Sequence, residues 1–127
     1  MRRVFKTRHF ARWMRETDLN DTARCQAVLE MERGPIDADL GGGVLEKRVA
    51  LPGRGKSGGV RTLVATHQDD RGFFVFGFEK KVRANVSAKE WAALQALATD
   101  LLKLSSTELD RQVENDVLAE IGDDPAD

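Results

Sequence analysis

Two segments in the middle of the chain, Val60–His67 and Phe73–Phe78, constrain the fold most strongly. Both are typical of strands, and Gln68–Gly72 between them has the composition of a hairpin turn. Before them, Val44–Leu51 alternates in polarity and predicts a third strand. The three segments therefore predict an antiparallel meander at the centre of the chain. The chain is 127 residues long, which is the usual size of one domain.

Helical patterns precede the meander. A short strand at residues 2–7 is followed by a helix over His9–Glu16, with apolar residues three and four positions apart. Asn20 or Asp21 can cap a second helix, which runs to about Arg33 and stops at Gly34-Pro35. These two helices predict a helical hairpin after the first strand.

Two more helices are predicted after the meander. Ser87–Glu90 and Ser105–Glu108 both match a capping box, in which the serine and glutamate side chains each accept a backbone N–H. The apolar face of the first of these helices consists of Trp91, Leu94, Leu97, Ala98, Leu101 and Leu102. The second carries Leu109, Val113, Val117 and Ile121 at i+4 spacing, and residues 123–127 should fray. The order of elements, β-α-α-β-β-β-α-α, is typical of an α+β fold.

The composition is that of a soluble globular protein, with 41% hydrophobic and 32% charged residues. Its single cysteine, Cys25, excludes an intramolecular disulfide and Cys-rich zinc sites, which favours a reducing cytoplasm. No apolar run approaches the ~20 residues of a membrane span, so we expect no membrane association. No spacing of His, Asp or Glu suggests a metal site, and we expect no cofactor.

Charge is segregated along the chain. Residues 1–83 hold 17 Lys and Arg against 11 Asp and Glu, whereas residues 84–127 hold 3 against 10. Such segregation can build a basic face that attracts phosphate, beside an acidic one. The alternative is that these charged side chains only form solvated faces of the protein.

Residues 50–57 fit a relaxed Walker pattern, but three observations count against a nucleotide-binding P-loop. Ala50 stands where the pattern requires glycine, and the residues after Ser57 predict a strand instead of a helix. The chain is also too short for the parallel sheet that such a fold requires.

The basic charge of the same region favours an anion-binding cluster over a P-loop. Adjacent antiparallel strands bring alternating side chains onto one face, so Lys47, Arg61 and Lys81 can meet on one concave surface if the register allows. Such a cluster suits a polyanion and can stabilise charge on a phosphate under attack by a ribose 2′-oxygen. The alternative is a solvated sheet edge, where lysines discourage aggregation. The basic residues in question are Lys47, Arg48, Arg54, Lys56, Arg61, Lys80, Lys81 and Arg83.

Other candidates are weaker. His9 and His67 have no acidic motif nearby, and we interpret each as an ordinary surface or core histidine. Cys25 is expected to be a small buried hydrophobe. The phenylalanines at 73, 74, 76 and 78 can stack on bases, but alternation in a strand makes core packing the favoured role. The chain has no tyrosine that could serve as an acid or base.

Four stretches resemble the RelE-like branch of the RelE/ParE superfamily, the HigB-type toxins of bacterial type II toxin–antitoxin systems. The resemblance covers residues 3 to 105, and its most specific part is Gly55-Lys56-Ser57-Gly58-Gly59-x-Arg61. The stretches are Arg3-Val4-Phe5-Lys6-Thr7 with Phe10–Trp13, Gly34–Gly43, Gly55–Val64 and Phe74–Lys80. On this basis we divide the chain into a RelE-like toxin domain, residues 1–105, and a C-terminal helical extension with a frayed tail, residues 106–127.

The resemblance implies a helical hairpin packed on a small, mostly antiparallel sheet. It also implies a ribosome-dependent mRNA endonuclease that uses 2′-hydroxyl attack on the adjacent phosphate without a metal ion and so inhibits translation. The family's strand arginine matches Arg61, and its basic pair after the last strand matches Lys80 and Lys81; we expect these three to be catalytic. Its other basic positions match less closely and are expected to bind RNA: Lys47, Arg48, Arg54, Lys56 and, after the last strand, Arg83.

The implied partners are the ribosome, mRNA and a cognate antitoxin, commonly a helix-turn-helix protein of the HigA type. The toxin and antitoxin are expected to form a hetero-oligomer on operator DNA. Two alternatives stay open: a ParE-like gyrase inhibitor, and a catalytically inactive toxin fold that only binds a partner. Several RelE proteins carry a tyrosine near the C-terminal end of the site, and its absence here leaves the proton acceptor unassigned.

Overall fold

The computed structural model describes residues 3–16, 38–49, 60–67, 71–79 and 85–121. In these residues, six strands form one sheet. The strands are β1 (Arg3–Thr7), β2 (Ala38–Gly41), β3 (Val44–Val49), β4 (Val60–His67), β5 (Arg71–Glu79) and β6 (Leu118–Ile121). The helices are α1 (Arg8–Glu16), α2 (Ala88–Leu102) and α3 (Ser106–Glu114).

The strand order is β2-β3-β4-β5-β1-β6. Strands β1 and β5 are parallel, and every other neighbouring pair is antiparallel. The predicted α+β class and the predicted meander of β3, β4 and β5 are therefore confirmed. The N-terminal strand lies beside β5 and pairs with β6 on its other side.

Each face of the sheet buries its own apolar cluster. Helix α1 covers one face, which we call the α1 face, and its core consists of Val4, Phe10, Met14, Val60, Val64, Phe74 and Ile121. Helices α2 and α3 cover the other, the α2 face, whose core consists of Phe5, Val44, Leu63, Ala65, Phe73, Val75, Leu94, Ala98, Leu101, Leu109 and Leu118. Because side chains alternate along a strand, the β-register decides which face each residue serves.

Gly77 of β5 fixes how closely α1 approaches the sheet. A Cβ atom built on Gly77 would lie 2.4 Å from the Trp13 ring of α1. That distance is far inside van der Waals contact, so the indole occupies the space that any other side chain would need. The absence of a side chain at residue 77 therefore permits α1 to pack at this distance.

Both predicted capping boxes are present. Glu90 N donates to the Ser87 hydroxyl at 3.1 Å, and Ser87 N donates to the Glu90 carboxylate at 2.9 Å. The same reciprocal pair joins Ser105 and Glu108 at the start of α3. In α2, however, Leu97 was predicted on the buried face and is instead 37% exposed. Leu94, Ala98 and Leu101 are buried, and Trp91 and Leu102 are partly buried against the same core.

The prediction that the last helix continues to Ile121 is wrong. Helix α3 ends at Glu114, and Asp116 has a positive φ of 59°, a conformation that aspartate tolerates better than most residues. The chain then forms β6, which pairs with β1. Leu118 and Ile121 are three residues apart, so in a strand they point to opposite faces, and each enters a different core cluster.

Several predicted features lie outside the described residues. They are the second helix of the helical hairpin with Cys25, the glycine-rich loop at 52–59, most of the hairpin turn at 68–72, and the tail at 123–127. The division of the chain at residue 105 stays a prediction.

Candidate functional site

Two of the predicted basic residues face each other across the centre of the sheet. Arg48 of β3 is the register partner of Arg61 of β4, and Arg61 is in turn the partner of Phe78 of β5. Direct partners in antiparallel strands project from the same face. Because Leu63, two residues after Arg61, belongs to the core beneath α2, this is the α2 face. The sheet thus places two arginines side by side on one face.

A carboxylate on the same surface holds Arg61. Glu46 lies two residues before Arg48 on β3, and its Oε2 is 3.0 Å from Nη1 of Arg61. The two side chains are only 16% and 14% exposed, so water screens this ion pair less than a pair on the open surface. The contact restricts the rotamers of Arg61 and fixes the direction of the guanidinium.

Lys47 does not share this surface. It lies between Glu46 and Arg48 and is the register partner of Thr62, so it projects from the α1 face, where it is only 3% exposed. The Thr62 hydroxyl donates to the Lys47 carbonyl at 2.8 Å. The prediction that Lys47 and Arg61 meet on one surface is therefore wrong, because they occupy positions of opposite parity in the β3–β4 ladder. An RNA-binding role of Lys47 stays a prediction.

The remaining predicted site residues lie outside the described part of the chain. Strand β5 ends at Glu79, the residue before the predicted catalytic pair. The roles expected of these residues stay predictions: Arg54, Lys56, Lys80, Lys81 and Arg83.

An aromatic row runs beside the arginines. The rings of Phe78 and Phe76 are 6.2 Å apart, and the ring of His9, in the first turn of α1, stacks on Phe76 at 5.7 Å with an angle of 9° between the planes. Core packing is confirmed for Phe73, Phe74 and Phe78, each at most 5% exposed, whereas Phe76 is half-buried.

The sequence does not reveal the partner of His9. His9 and Phe76 are 67 positions apart, and they meet only because β1 lies parallel beside β5 and α1 starts at the end of β1. His9 was interpreted as an ordinary surface or core histidine, and it is exposed. No feature of the sequence indicates the ring stacked on it.

The sequence matches a family described as the RelE toxin of the RelE / RelB toxin-antitoxin system, over residues 2–121. The chain belongs to this RelE toxin family. It is the toxin of a toxin–antitoxin system and pairs with a cognate antitoxin, and toxins of this family are generally endoribonucleases. No curated protein matches the chain. The match includes β6, which the resemblance seen in the sequence did not cover.

Within the part of the chain that the structure describes, we find no helix both long and apolar enough to cross a membrane. In the same ranges, no three His, Cys, Asp or Glu side chains are grouped in a way that could hold a metal ion. The expectation of a reaction without a metal ion stays a prediction.

Proposed function

We propose that this RelE-family toxin is a ribosome-dependent mRNA endonuclease. The observation that carries the proposal is the position of Arg61, which shares one face of the sheet with Arg48 and is held by Glu46. A guanidinium group can hold a phosphate through two parallel hydrogen bonds, and this one is fixed in direction before any substrate arrives. Pre-organised cations of this kind lower the barrier to reactions that build charge on a phosphate.

The proposed reaction is an attack by a ribose 2′-oxygen on the adjacent phosphorus. The 2′-O–P bond forms, the P–O5′ bond breaks, and the products end in a 2′,3′-cyclic phosphate and a 5′-hydroxyl. The 2′-hydroxyl gives up its proton and the leaving 5′-oxygen takes one, so no net proton is consumed. Arg61 stabilises the charge that grows on the phosphate oxygens, and Lys80 and Lys81 are proposed to assist it.

Arg48 is proposed to contact a phosphate next to the one that is cleaved, because it is exposed and directly opposite Arg61. The proposal extends to RNA contacts by Arg54, Lys56 and Arg83. It also includes a helix-turn-helix antitoxin that forms a complex with the toxin on operator DNA, and action in the cytoplasm, where ribosomes and mRNA meet.

Cleavage by purified protein on ribosomes programmed with a defined mRNA tests the proposal, with mapping of the new 5′ ends. We expect cuts in frame with the codon in the ribosomal A site. Arg61→Ala should lower the cleavage rate by about 10²–10³-fold, the usual effect of removing a donor that stabilises a developing oxyanion. Arg111→Ala is the matched control, because it removes an exposed arginine from α3 on the C-terminal part of the chain.

The same variants should be expressed in cells with and without the antitoxin. Growth arrest without mRNA cuts would contradict the proposal and redirect the search to gyrase, which a supercoiling assay detects. No growth arrest by the parent protein would favour a toxin fold that only binds its partner. Arg61→Ala protein that cleaves as fast as the parent would show that the proposed site is wrong.

A further inference from the structure

The stacked pair of His9 and Phe76 has no role in the reaction described above. Their rings are nearly parallel, at 9°, and offset, with centroids 5.7 Å apart. His9 is exposed, whereas Phe76 is half-buried and packs in part against the core of the α2 face. Phe76 therefore acts as a rigid support beneath an imidazole ring that remains accessible to solvent.

The β-register places Phe76 close to the strand position that pairs with Arg61. Phe76 and Phe78 are two residues apart on β5, and their partners across the ladder are Leu63 and Arg61. Two residues along a strand span about 6.6 Å. Phe76 is therefore about one strand repeat along β5 from Phe78, the register partner of the arginine that is proposed to hold the reacting phosphate.

Exposed aromatic rings in fixed positions are how proteins bind unpaired RNA bases. Single-stranded RNA is recognised largely by stacking on Phe, Tyr, Trp or His, and the stacking tolerates any base. A ring that is already held in one orientation loses little conformational entropy on binding. The Phe76 support gives His9 this property, which a histidine that projects freely from a helix lacks.

The charge of α1 favours the same ligand. The first turn of α1 contains no acidic residue, and the exposed side chains of the helix include Arg8, Arg12 and Arg15. Arg12 is three positions after His9, so the two side chains are neighbours on the helix surface, with Cβ atoms about 5–6 Å apart. A base that stacks on His9 would place one of its flanking phosphates near Arg12.

We propose that His9, supported by Phe76, stacks on an unpaired RNA base next to the phosphate held by Arg61, while Arg12 binds a flanking phosphate. This inference rests on the proposed function and assigns a positioning role to residues outside its catalytic set. His9 transfers no proton in this proposal. By holding one base, it determines which phosphate of the RNA lies at Arg61.

Binding of a fluorescein-labelled hexaribonucleotide tests the stacking, with fluorescence anisotropy as the readout. All 2′-hydroxyls should be methylated, so that binding is measured without cleavage. His9→Ala should weaken binding by about 5- to 100-fold, as alanine substitution of stacking residues does. His9→Phe keeps an aromatic ring over Phe76 and should bind within about threefold of the parent. Arg111→Ala is the control and should bind as the parent does.

Oligonucleotides with one abasic position identify the stacked base. At one position, loss of the base should weaken binding to the parent protein and leave binding to His9→Ala unchanged, because that variant has no ring to stack on the base.

The salt dependence of RNA binding distinguishes the role of Arg12 from that of His9. Arg12→Ala should lower the slope of log K against log salt by about 0.7, the value for one phosphate contact on a single strand, whereas His9→Ala should leave it unchanged.

Equal affinity of the parent and His9→Ala would overturn the proposal. So would a His9→Phe variant as weak as His9→Ala, or a parent protein that binds every abasic oligonucleotide as well as the intact one. These results are independent of the cleavage assay with Arg61→Ala, so failure of the stacking proposal and failure of the endonuclease proposal can be told apart.

Discussion

Arg61 shows how one residue of the sheet acquires a defined direction. Its ion pair with Glu46 restrains the guanidinium, and its register partners, Arg48 and Phe78, lie on either side of it. In the proposed reaction, the phosphate would meet a planar donor group that is already oriented. We therefore expect the shape of the guanidinium, and its charge, to matter for the reaction.

Arg61→Lys tests the importance of that shape. Lysine keeps the positive charge but replaces the planar fork with a compact ammonium group on a flexible stem, which cannot form two parallel hydrogen bonds to one phosphate. We expect cleavage on programmed ribosomes to fall by about 10- to 100-fold, a large part of what the loss of an oxyanion donor costs. The rate should be measured under single-turnover conditions.

Arg48→Lys provides the comparison, because Arg48 is proposed only to contact a neighbouring phosphate. The cleavage rate of Arg48→Lys should stay within about threefold of the parent's rate, since a lysine can still bind phosphate as a point charge. If Arg61→Lys retains the full rate, charge alone is sufficient at this position and the planar shape of the guanidinium contributes nothing to the reaction.

Only some of the side-chain neighbours at the candidate site could be predicted from the sequence. The sequence identified Arg48 and Arg61 as members of a basic cluster, and the register confirms that they are neighbours. It placed Lys47 with them, and this was wrong because a shift of one residue along a strand reverses the face. Neither the Glu46 ion pair nor the His9 stack could be predicted, because each depends on which strands lie side by side.

At the scale of elements, the sequence predicted correctly the features that depend only on residues close together in the chain. Both capping boxes formed as predicted, since each needs only a serine and a glutamate three residues later. The end of α3 was not predicted, because apolar residues at 118 and 121 suit both a helix face and the two faces of a strand. Pairing with β1 decides between these, and that partner is more than 100 residues away.

The capping box of α3 has a consequence for pH. The backbone N–H of Ser105 donates to the Glu108 carboxylate, and this lowers the pKa of Glu108 below its ordinary value of 4.5. A lowered pKa in the folded state means that the carboxylate stabilises the fold above pH 4.5 and loses this effect as the pH falls further. Glu108→Gln keeps an acceptor for the same N–H but carries no charge.

We therefore expect Glu108→Gln to be less stable than the parent at pH 7 and for the difference to shrink as the pH falls below 4.5. Urea unfolding at pH 7, 5, 4 and 3 measures this difference. A change of equal size at every pH would mean that the charge of Glu108 contributes nothing. Glu114→Gln is the matched control, because Glu114 lies at the end of α3, where a carboxylate caps no N–H group, and its substitution should show no such loss.

At the scale of the whole molecule, residues 106–121 pack on the sheet and pair with it. Leu109 of α3 is fully buried, and Leu118 and Ile121 of β6 are 4% and 7% exposed in the two core clusters. Arg3 of β1 donates hydrogen bonds to Glu120 at 2.9 Å and to Asp110 at 3.0 Å, and its guanidinium lies 5.0 Å from the centre of the Phe5 ring. The hydrogen bond to Glu120 is the main reason that the pKa of Arg3 is raised. The acidic C-terminal part and the basic N-terminal part are therefore joined at β1.

Removal of residues 106–127 should consequently destabilise the protein severely. It exposes apolar surface on both faces of the sheet and leaves the outer backbone groups of β1 without β6, and loss of three buried aliphatic side chains alone costs about 2–5 kcal/mol for each. Because small domains are stable by only about 5–15 kcal/mol, we expect the shortened protein to show no cooperative urea transition. Circular dichroism during urea titration measures this.

A chain that ends at Ile121 is the control, since it removes none of the described core residues and should unfold at nearly the parent's urea concentration. Leu118→Ala gives an intermediate case, with a loss of about 2–5 kcal/mol expected for a buried leucine. If the protein without residues 106–127 unfolds cooperatively at the parent's urea concentration, the burial of Leu109, Leu118 and Ile121 does not stabilise the fold. In that case the segment would have to be an appendage of a domain that ends near residue 105, as the sequence alone suggested.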